Sequence, residues 1–253
     1  MLYRKIRSYI DAHLRSNEDK ILLIEGARQI GKSYIIRDVG TELYDNYVEI
    51  NFVEDDAGDK IFRNVRTTEE FYLNLSMVAG FKLDKYENTL VFIDEIQHYP
   101  QFLTMLKFLR QEHRYRFICS GSLLGIALKK TVSVPVGSII PKKMYQLDFE
   151  EFLIANDFGE DAIVHLRKSF EQKQPLAPEV HDKVLSLFKR YLLVGGMPDA
   201  VNEYLNSHNI VKVREAQESI RELYGVDASR YEEDAAKKLY IRRIYDMIPS
   251  QME

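Results

Sequence analysis

Residues Gly26-Ala27-Arg28-Gln29-Ile30-Gly31-Lys32-Ser33 spell G-x-x-x-x-G-K-[ST]. They follow the apolar run Ile21-Leu22-Leu23-Ile24 and precede Tyr34-Ile35-Ile36-Arg37, which reads as helix. The bare pattern arises by chance in about one chain in a hundred of this length, and the requirement for a strand before it and a helix after it lowers that further. The two glycines let the backbone curl so that successive N–H groups point inward. The amino terminus of the following helix adds positive potential, and together they hold phosphate oxygens without bulky side chains. In such a loop Lys32 reaches the β- and γ-phosphates of a nucleotide, and Ser33 offers its hydroxyl to Mg²⁺.

The rest of the chain must then supply a parallel sheet. Ile21 to Ile24, bounded by Glu18-Asp19-Lys20 and Gly26, has the length and punctuation of a strand covered on both faces. Val48 to Val53, Leu90 to Ile93 and Phe117 to Cys119 are runs of the same kind, with Met144 to Leu147 as a candidate fourth. Between them, Phe71 to Phe81 and Phe102 to Leu109 carry helical spacing, and Leu2, Ile6, Tyr9, Ile10, His13 and Leu14 mark a helix before the first strand. Alternating strand and helix means α/β architecture with helices sandwiching a parallel sheet. After Leu147 only helical periodicity remains: Ala162 to Phe170, Val180 to Leu193, Ala200 to Leu205, Ile210 to Tyr224 and Ala235 to Ile248. Asp148, followed by Glu151, reads as a capping box opening the first of these helices. The expected division is an α/β domain over 1–147 and an all-helical domain over 148–253.

Open α/β sheets bind ligands at the carboxyl ends of their strands. Leu90-Val91-Phe92-Ile93 delivers Asp94 and Glu95 there: Asp94 is expected to hold the Mg²⁺ shell, and Glu95 to orient or polarise an attacking water. Phe117-Ile118-Cys119 delivers Ser120, expected to contact the γ-phosphate or the water, with Ser122 as second choice. Cys119 reads as a small core residue.

Composition narrows the rest. Thirty-five Lys and Arg against 39 Asp and Glu give a net charge of −4, which argues against a surface built for nucleic-acid backbone. Lys129-Lys130, Lys142-Lys143 and Arg242-Arg243 are isolated basic pairs of the kind usually found solvated. The single cysteine excludes an internal disulfide and a cysteine zinc site, and fits a reducing, cytoplasmic location. No secretory signal or membrane-length apolar run is present in the sequence, and the six His form no H-E-x-x-H.

Five segments together carry a family resemblance: Gly26 to Ser33, Val91-Phe-Ile-Asp-Glu-Ile-Gln, Cys119-Ser-Gly-Ser, Leu147-Asp-Phe-Glu-Glu-Phe-Leu and Gly195-Gly-Met-Pro-Asp-Ala-Val. In this order they resemble a prokaryotic family of AAA-type P-loop ATPases with an additional central strand, related to the signal-transducing STAND ATPases. The resemblance runs from the first helix to about Gln251. It implies ATP and Mg²⁺ as ligands, contacts to nucleotide from Gly26 through Tyr34, and a further carboxyl-terminal domain after Ile248-Pro249-Ser250-Gln251. It also implies that the helical part is a lid in which Gly195 to Pro198 closes on the nucleotide, with Pro198 near the adenine. The residues alone give a plainer reading, in which Gly195-Gly196 ends one helix and Pro198 starts the next.

The chain departs from that family at one place. Relatives carry Arg or Lys after the glycine preceding the final strand, a cation suited to act in trans; here Ser138 follows Gly137, with Lys142 and Lys143 just beyond. Slow hydrolysis by the isolated chain is therefore expected. The leading expectation is a Mg²⁺-dependent ATPase acting as a conformational switch, with a further domain, a protein partner or a second copy as its partner. The alternative is a nucleotide-gated interaction module with negligible turnover. A small-molecule phosphotransferase fits less well because Asp94-Glu95 points to water, and no N-K-x-D is present to read guanine.

Overall fold

The computed structural model describes residues 2–51, 61–80, 83, 85, 87–122, 137–229, 232 and 234–251. These fall into two compact units, Arg4–Tyr145 and Gln146–Glu253, the latter joined by Met1–Tyr3.

The first unit is built on five parallel strands: β1 (Ile21–Glu25), β2 (Asn46–Asn51), β3 (Thr89–Asp94), β4 (Arg116–Gly121) and β5 (Ile139–Lys143). Their order across the sheet is β2-β3-β4-β1-β5, so β4 is inserted between the strand feeding the glycine loop and the strand ending in Asp94. Leu22 is flanked by Ile118 on one side and Ile140 on the other, which is why β1 reads as an unbroken apolar run rather than an alternating one. Among the described residues the unit also holds helices α1 (Lys5–Arg15), α2 (Lys32–Leu43), α3 (Thr68–Ala79) and α4 (Pro100–Glu112). Strand alternation sends Leu23, Val91, Ile93, Phe117 and Cys119 into one core cluster with Phe71 from α3 and Phe102 and Leu106 from α4. Phe71 lies 5.5 Å from Phe62, 5.7 Å from Phe102 and 6.2 Å from Phe117 between ring centroids, at angles suited to edge and tilted packing. Thr67 and Glu70 close a reciprocal capping box at the start of α3.

The expected strand at Met144 to Leu147 is displaced: the fifth strand is Ile139–Lys143. Among the described residues it is an edge strand, paired with β1, and edge strands tolerate the Pro141 and charged Lys142 and Lys143 that disguise it. Val53 and Phe81, expected at the ends of a strand and a helix, lie outside the described residues, as do Lys129-Lys130.

The second unit is helical: α5 (Phe149–Ala155), α6 (Glu160–Glu171), α7 (Pro178–Val194), α8 (Pro198–Ser207), α9 (Ile210–Ser229) and α10 (Ala235–Met247). Its core gathers Leu147, Phe152, Val194, Ala200, Val201, Tyr204 and Val213. The capping box at α5 forms as the sequence predicts, with Glu151 N donating to Asp148 Oδ1 at 2.8 Å and Asp148 N donating to Glu151 Oε2 at 3.1 Å. Gly196 abuts Leu147 so closely that a Cβ there would sit 2.1 Å from the Leu147 carbonyl oxygen, and Leu147 N donates to Gly196 O at 2.7 Å.

Candidate functional site

Parallel pairing brings the carboxyl ends of β1, β2, β3 and β4 to one edge of the sheet. The glycine loop leaves β1 there and enters α2. At Gly26 a Cβ would fall 2.4 Å from the Met144 carbonyl oxygen, so the close backbone approach demands glycine. Gly31 takes φ +89°, a left-handed conformation that glycine adopts without strain. The loop is braced from behind: Arg4, only 7% exposed, donates from Nη1 to Ile30 O at 2.8 Å and from Nη2 to Tyr145 O.

A cavity of about 320 Å³ opens over the loop, lined by Arg28, Gln29, Gly31 to Tyr34, Asn51, Asp94 and Glu95. Lys32 is buried, and its Nζ donates to Gly26 O at 3.0 Å and to Ala27 O at 2.7 Å. Burial pushes the Lys32 ammonium below its ordinary pKa against the pull of Glu95 and Asp94. An anion in the cavity would offer it a charged acceptor in place of two neutral carbonyls.

Asp94 is the hub. Its Oδ2 accepts from Ser33 Oγ at 2.6 Å and from Asn51 Nδ2 at 3.4 Å; its Oδ1 accepts from Glu95 N at 2.9 Å and from Ser120 Oγ. Glu95 begins a tight turn with φ 48° and ψ 42°, and its Oε2 accepts from Ser122 Oγ at 3.0 Å and from Gln97 Nε2. Burial alone would raise the Glu95 pKa, but Lys32, the donors Gln97 and Ser122, and Arg28 outweigh it and hold the carboxyl below its ordinary value. Cys119 is fully buried and its thiol is pushed well up by that burial, which makes it inert core.

The structure thus gathers Arg28, Gln29, Gly31, Lys32, Ser33, Tyr34, Asp94 and Glu95 around one cavity. Gly26 and Ala27 contribute carbonyls to Lys32, and the Ile30 side chain turns into the core at 1% exposure. Ser120 is completely buried and its hydroxyl is directed at Asp94, whereas Ser122 is directed at Glu95. Pro198 opens α8 in the helical unit. Ser138 is buried and accepts from Arg110 Nη1 at 3.3 Å, while Arg110 also pairs with Asp19 at 2.8 Å. Lys142 Nζ lies 4.1 Å from the Tyr9 ring centroid, and Lys143 is exposed on the edge strand. Sequence reasoning gave no role at the site to Arg4, Asn51 or Gln97, although Gln97 closes one of the segments that carry the family resemblance. A polar side chain ending β2 and an amide two positions after Glu95 were visible signals; nothing near Arg4 pointed to the loop.

Strand order, glycine loop and acidic strand end define the class, an AAA-type P-loop ATPase fold. Residues 18–153, more than half the chain, match the model of the AAA domain family, and the chain belongs to that family. Residues 185–253 match a domain of unknown function (DUF8612). No curated protein matches the chain. Among solved structures, the Walker-type ATPase PABY2304 of Pyrococcus abyssi is similar at 15% identity and a TM-score of 0.54, over 94% of this chain and 77% of that one. C. elegans PCH-2 gives 15% identity and 0.45, over 84% of this chain and 69% of that one. AMPPCP-bound DnaA from Aquifex aeolicus gives 13% and 0.43, over 94% and 75% respectively. At such identities the likeness is one of fold, and it rests on the first of the three. No described helix is long and apolar enough to cross a membrane.

Proposed function

We propose that the chain binds Mg·ATP in the cavity over the glycine loop and hydrolyses it to ADP and phosphate, slowly when isolated. The observation that carries this reading is the Ser33 Oγ to Asp94 Oδ2 contact at 2.6 Å, which joins the first helical turn after the loop to the end of β3. A hydroxyl and a carboxylate are the hard oxygen donors that Mg²⁺ takes when phosphates and water supply the remainder. Ser33 and Asp94 would hold the ion, and the ion would neutralise charge on the phosphate oxygens.

The chain's own groups would act as follows. Backbone N–H groups of Gly26 to Tyr34 bind phosphate oxygens, and Lys32 exchanges its two carbonyl acceptors for the β- and γ-phosphates. Glu95 accepts a hydrogen bond from the attacking water. The new P–O bond forms as the bond between the γ-phosphorus and the ADP oxygen breaks, and the proton passes to solvent. Held ionised by its neighbours, Glu95 acts mainly by orienting water. Ser120 steadies Asp94. We place a domain boundary near 147 and assign residues 148–253 the role of a nucleotide-responsive lid with Pro198 near the adenine, as in STAND-related ATPases. Ser138 stands where a trans-acting cation would be, which supports slow basal turnover.

Calorimetry with Mg·ATP and Mg·GTP tests the reading. Binding selective for ATP and abolished by Lys32→Ala is expected, together with binding but no turnover in Glu95→Gln. A Lys32→Ala chain that binds as tightly as the parent would sink it. A second reading, a nucleotide-gated interaction module, is favoured by α10, which buries no residue and leaves Leu239, Tyr240, Ile244 and Met247 more than half exposed. The two separate on whether a further domain, a protein partner or a second copy raises phosphate release.

A further inference from the structure

The Glu95 carboxylate is held asymmetrically. Both of its donors, Gln97 Nε2 and Ser122 Oγ, fall on Oε2, and Gln97 Nε2 also reaches Ser122 Oγ at 3.2 Å. Oε1 accepts no hydrogen bond among the described residues. The turn that returns Gln97 to this position starts from a left-handed Glu95, a conformation unfavourable for a residue with a Cβ, and is closed by His98 N donating to Glu95 O at 3.1 Å.

Gln97 is 6% exposed, and its own Oε1 is buried without a partner among the described residues. An apolar side chain of similar size would avoid the cost of that unpaired oxygen. What the amide provides is a pair of N–H donors shared between Glu95 and Ser122.

We infer that Gln97 and Ser122 are positioning residues for ATP hydrolysis: they lock Glu95 by Oε2 and leave Oε1 as the oxygen that accepts a hydrogen bond from the attacking water. The inference rests on the hydrolytic reading for its chemistry and on the contacts alone for the lock. Binding of nucleotide does not pass through this trio, because phosphate is held by the loop and Lys32. Loss of the lock therefore changes the chemical step and spares affinity.

The experiment has two arms. In ¹⁵N–¹H spectra of the full chain, the Gln97 side-chain amide, assigned by its loss in Gln97→Leu, is expected to exchange slowly with solvent in the parent and to lose that protection in Glu95→Ala. In single-turnover hydrolysis, Gln97→Leu and Ser122→Ala are expected to lower the rate on the order of 10²-fold, the size of effect a small misplacement produces, with the Mg·ATP Kd within about twofold of the parent. Ser122→Thr keeps the hydroxyl and is expected to preserve the Gln97 protection. Ser122→Ala removes only one atom and stands in if Gln97→Leu does not fold. An unprotected Gln97 amide in the parent, or a Kd that rises in step with the lost rate, overturns the inference. A parent that binds Mg·ATP without turnover, yet shows amide protection that Glu95→Ala removes, fails the hydrolytic reading and supports the lock.

Discussion

Replacing Arg4 with Ala tests how far the phosphate loop depends on a residue remote from it in sequence. The guanidinium is 7% exposed and bridges the Ile30 and Tyr145 carbonyls, one in the loop and one just beyond β5. Each hydrogen bond from a charged donor contributes about 1.5–3 kcal/mol, so the pair represents roughly 3–6 kcal/mol gross. Removing a buried cation also relieves its own desolvation, which offsets part of that, and a net loss of about 2–4 kcal/mol remains. For a unit of this size, at about 3 °C per kcal/mol, the unfolding midpoint should fall by roughly 6–12 °C. Thermal unfolding followed by circular dichroism, with Mg·ATP titrations on the folded variant, is the assay. Affinity should fall as well, because the Ile30 carbonyl fixes the loop. Arg4→Lys should lie between, since an ammonium is a point donor and cannot span both carbonyls as a planar fork does. An Arg4→Ala chain with unchanged midpoint and unchanged affinity would refute the bracing role.

Two further outcomes follow from the packing. Gly196→Ala places a methyl 2.1 Å from the Leu147 carbonyl oxygen and should cost the helical unit about 3 kcal/mol or more, seen as an early transition in urea; a neutral result would show that the turn has room to move. His13 is buried at the end of α1, where burial first and Arg116 second hold its pKa below the ordinary 6.5. The unfolded chain therefore binds the proton more readily, so stability is full above pH 6.5 and falls as pH drops through that value, at a slope of at most about 1.4 kcal/mol per pH unit. Urea midpoints between pH 7.5 and 5.5 should decline in the parent and decline less in His13→Gln; equal slopes would remove His13 from the acid sensitivity.

Much of this protein was legible in its sequence because the governing physics is local. The run Ile21 to Ile24, the spacing of the glycines, Lys32 and Ser33, and the capping residues Asp148 and Glu151 each act within a few positions of themselves, so strand, loop and helix start could be read directly. The acidic pair at the end of β3 was legible for the same reason, since an apolar run that gives way to charged residues marks the carboxyl end of a strand.

Tertiary structure decided what depends on neighbours distant in the chain. The insertion of β4 between β1 and β3 puts Ser120 beside Asp94, and the pairing of β2 with β3 sets Asn51 beside Asp94 from the other side. The position of β5 could not be read because an edge strand, hydrogen-bonded on one side, admits the Pro141 and lysines that elsewhere mark a loop. Arg4 had no sequence signal because the carbonyls it holds in the loop and beyond β5 lie 26 and 141 residues away, and any residue type carries a carbonyl. Sequence determines which side chains carry chemistry; only the fold decides which oxygen of Glu95 is held and which is left open.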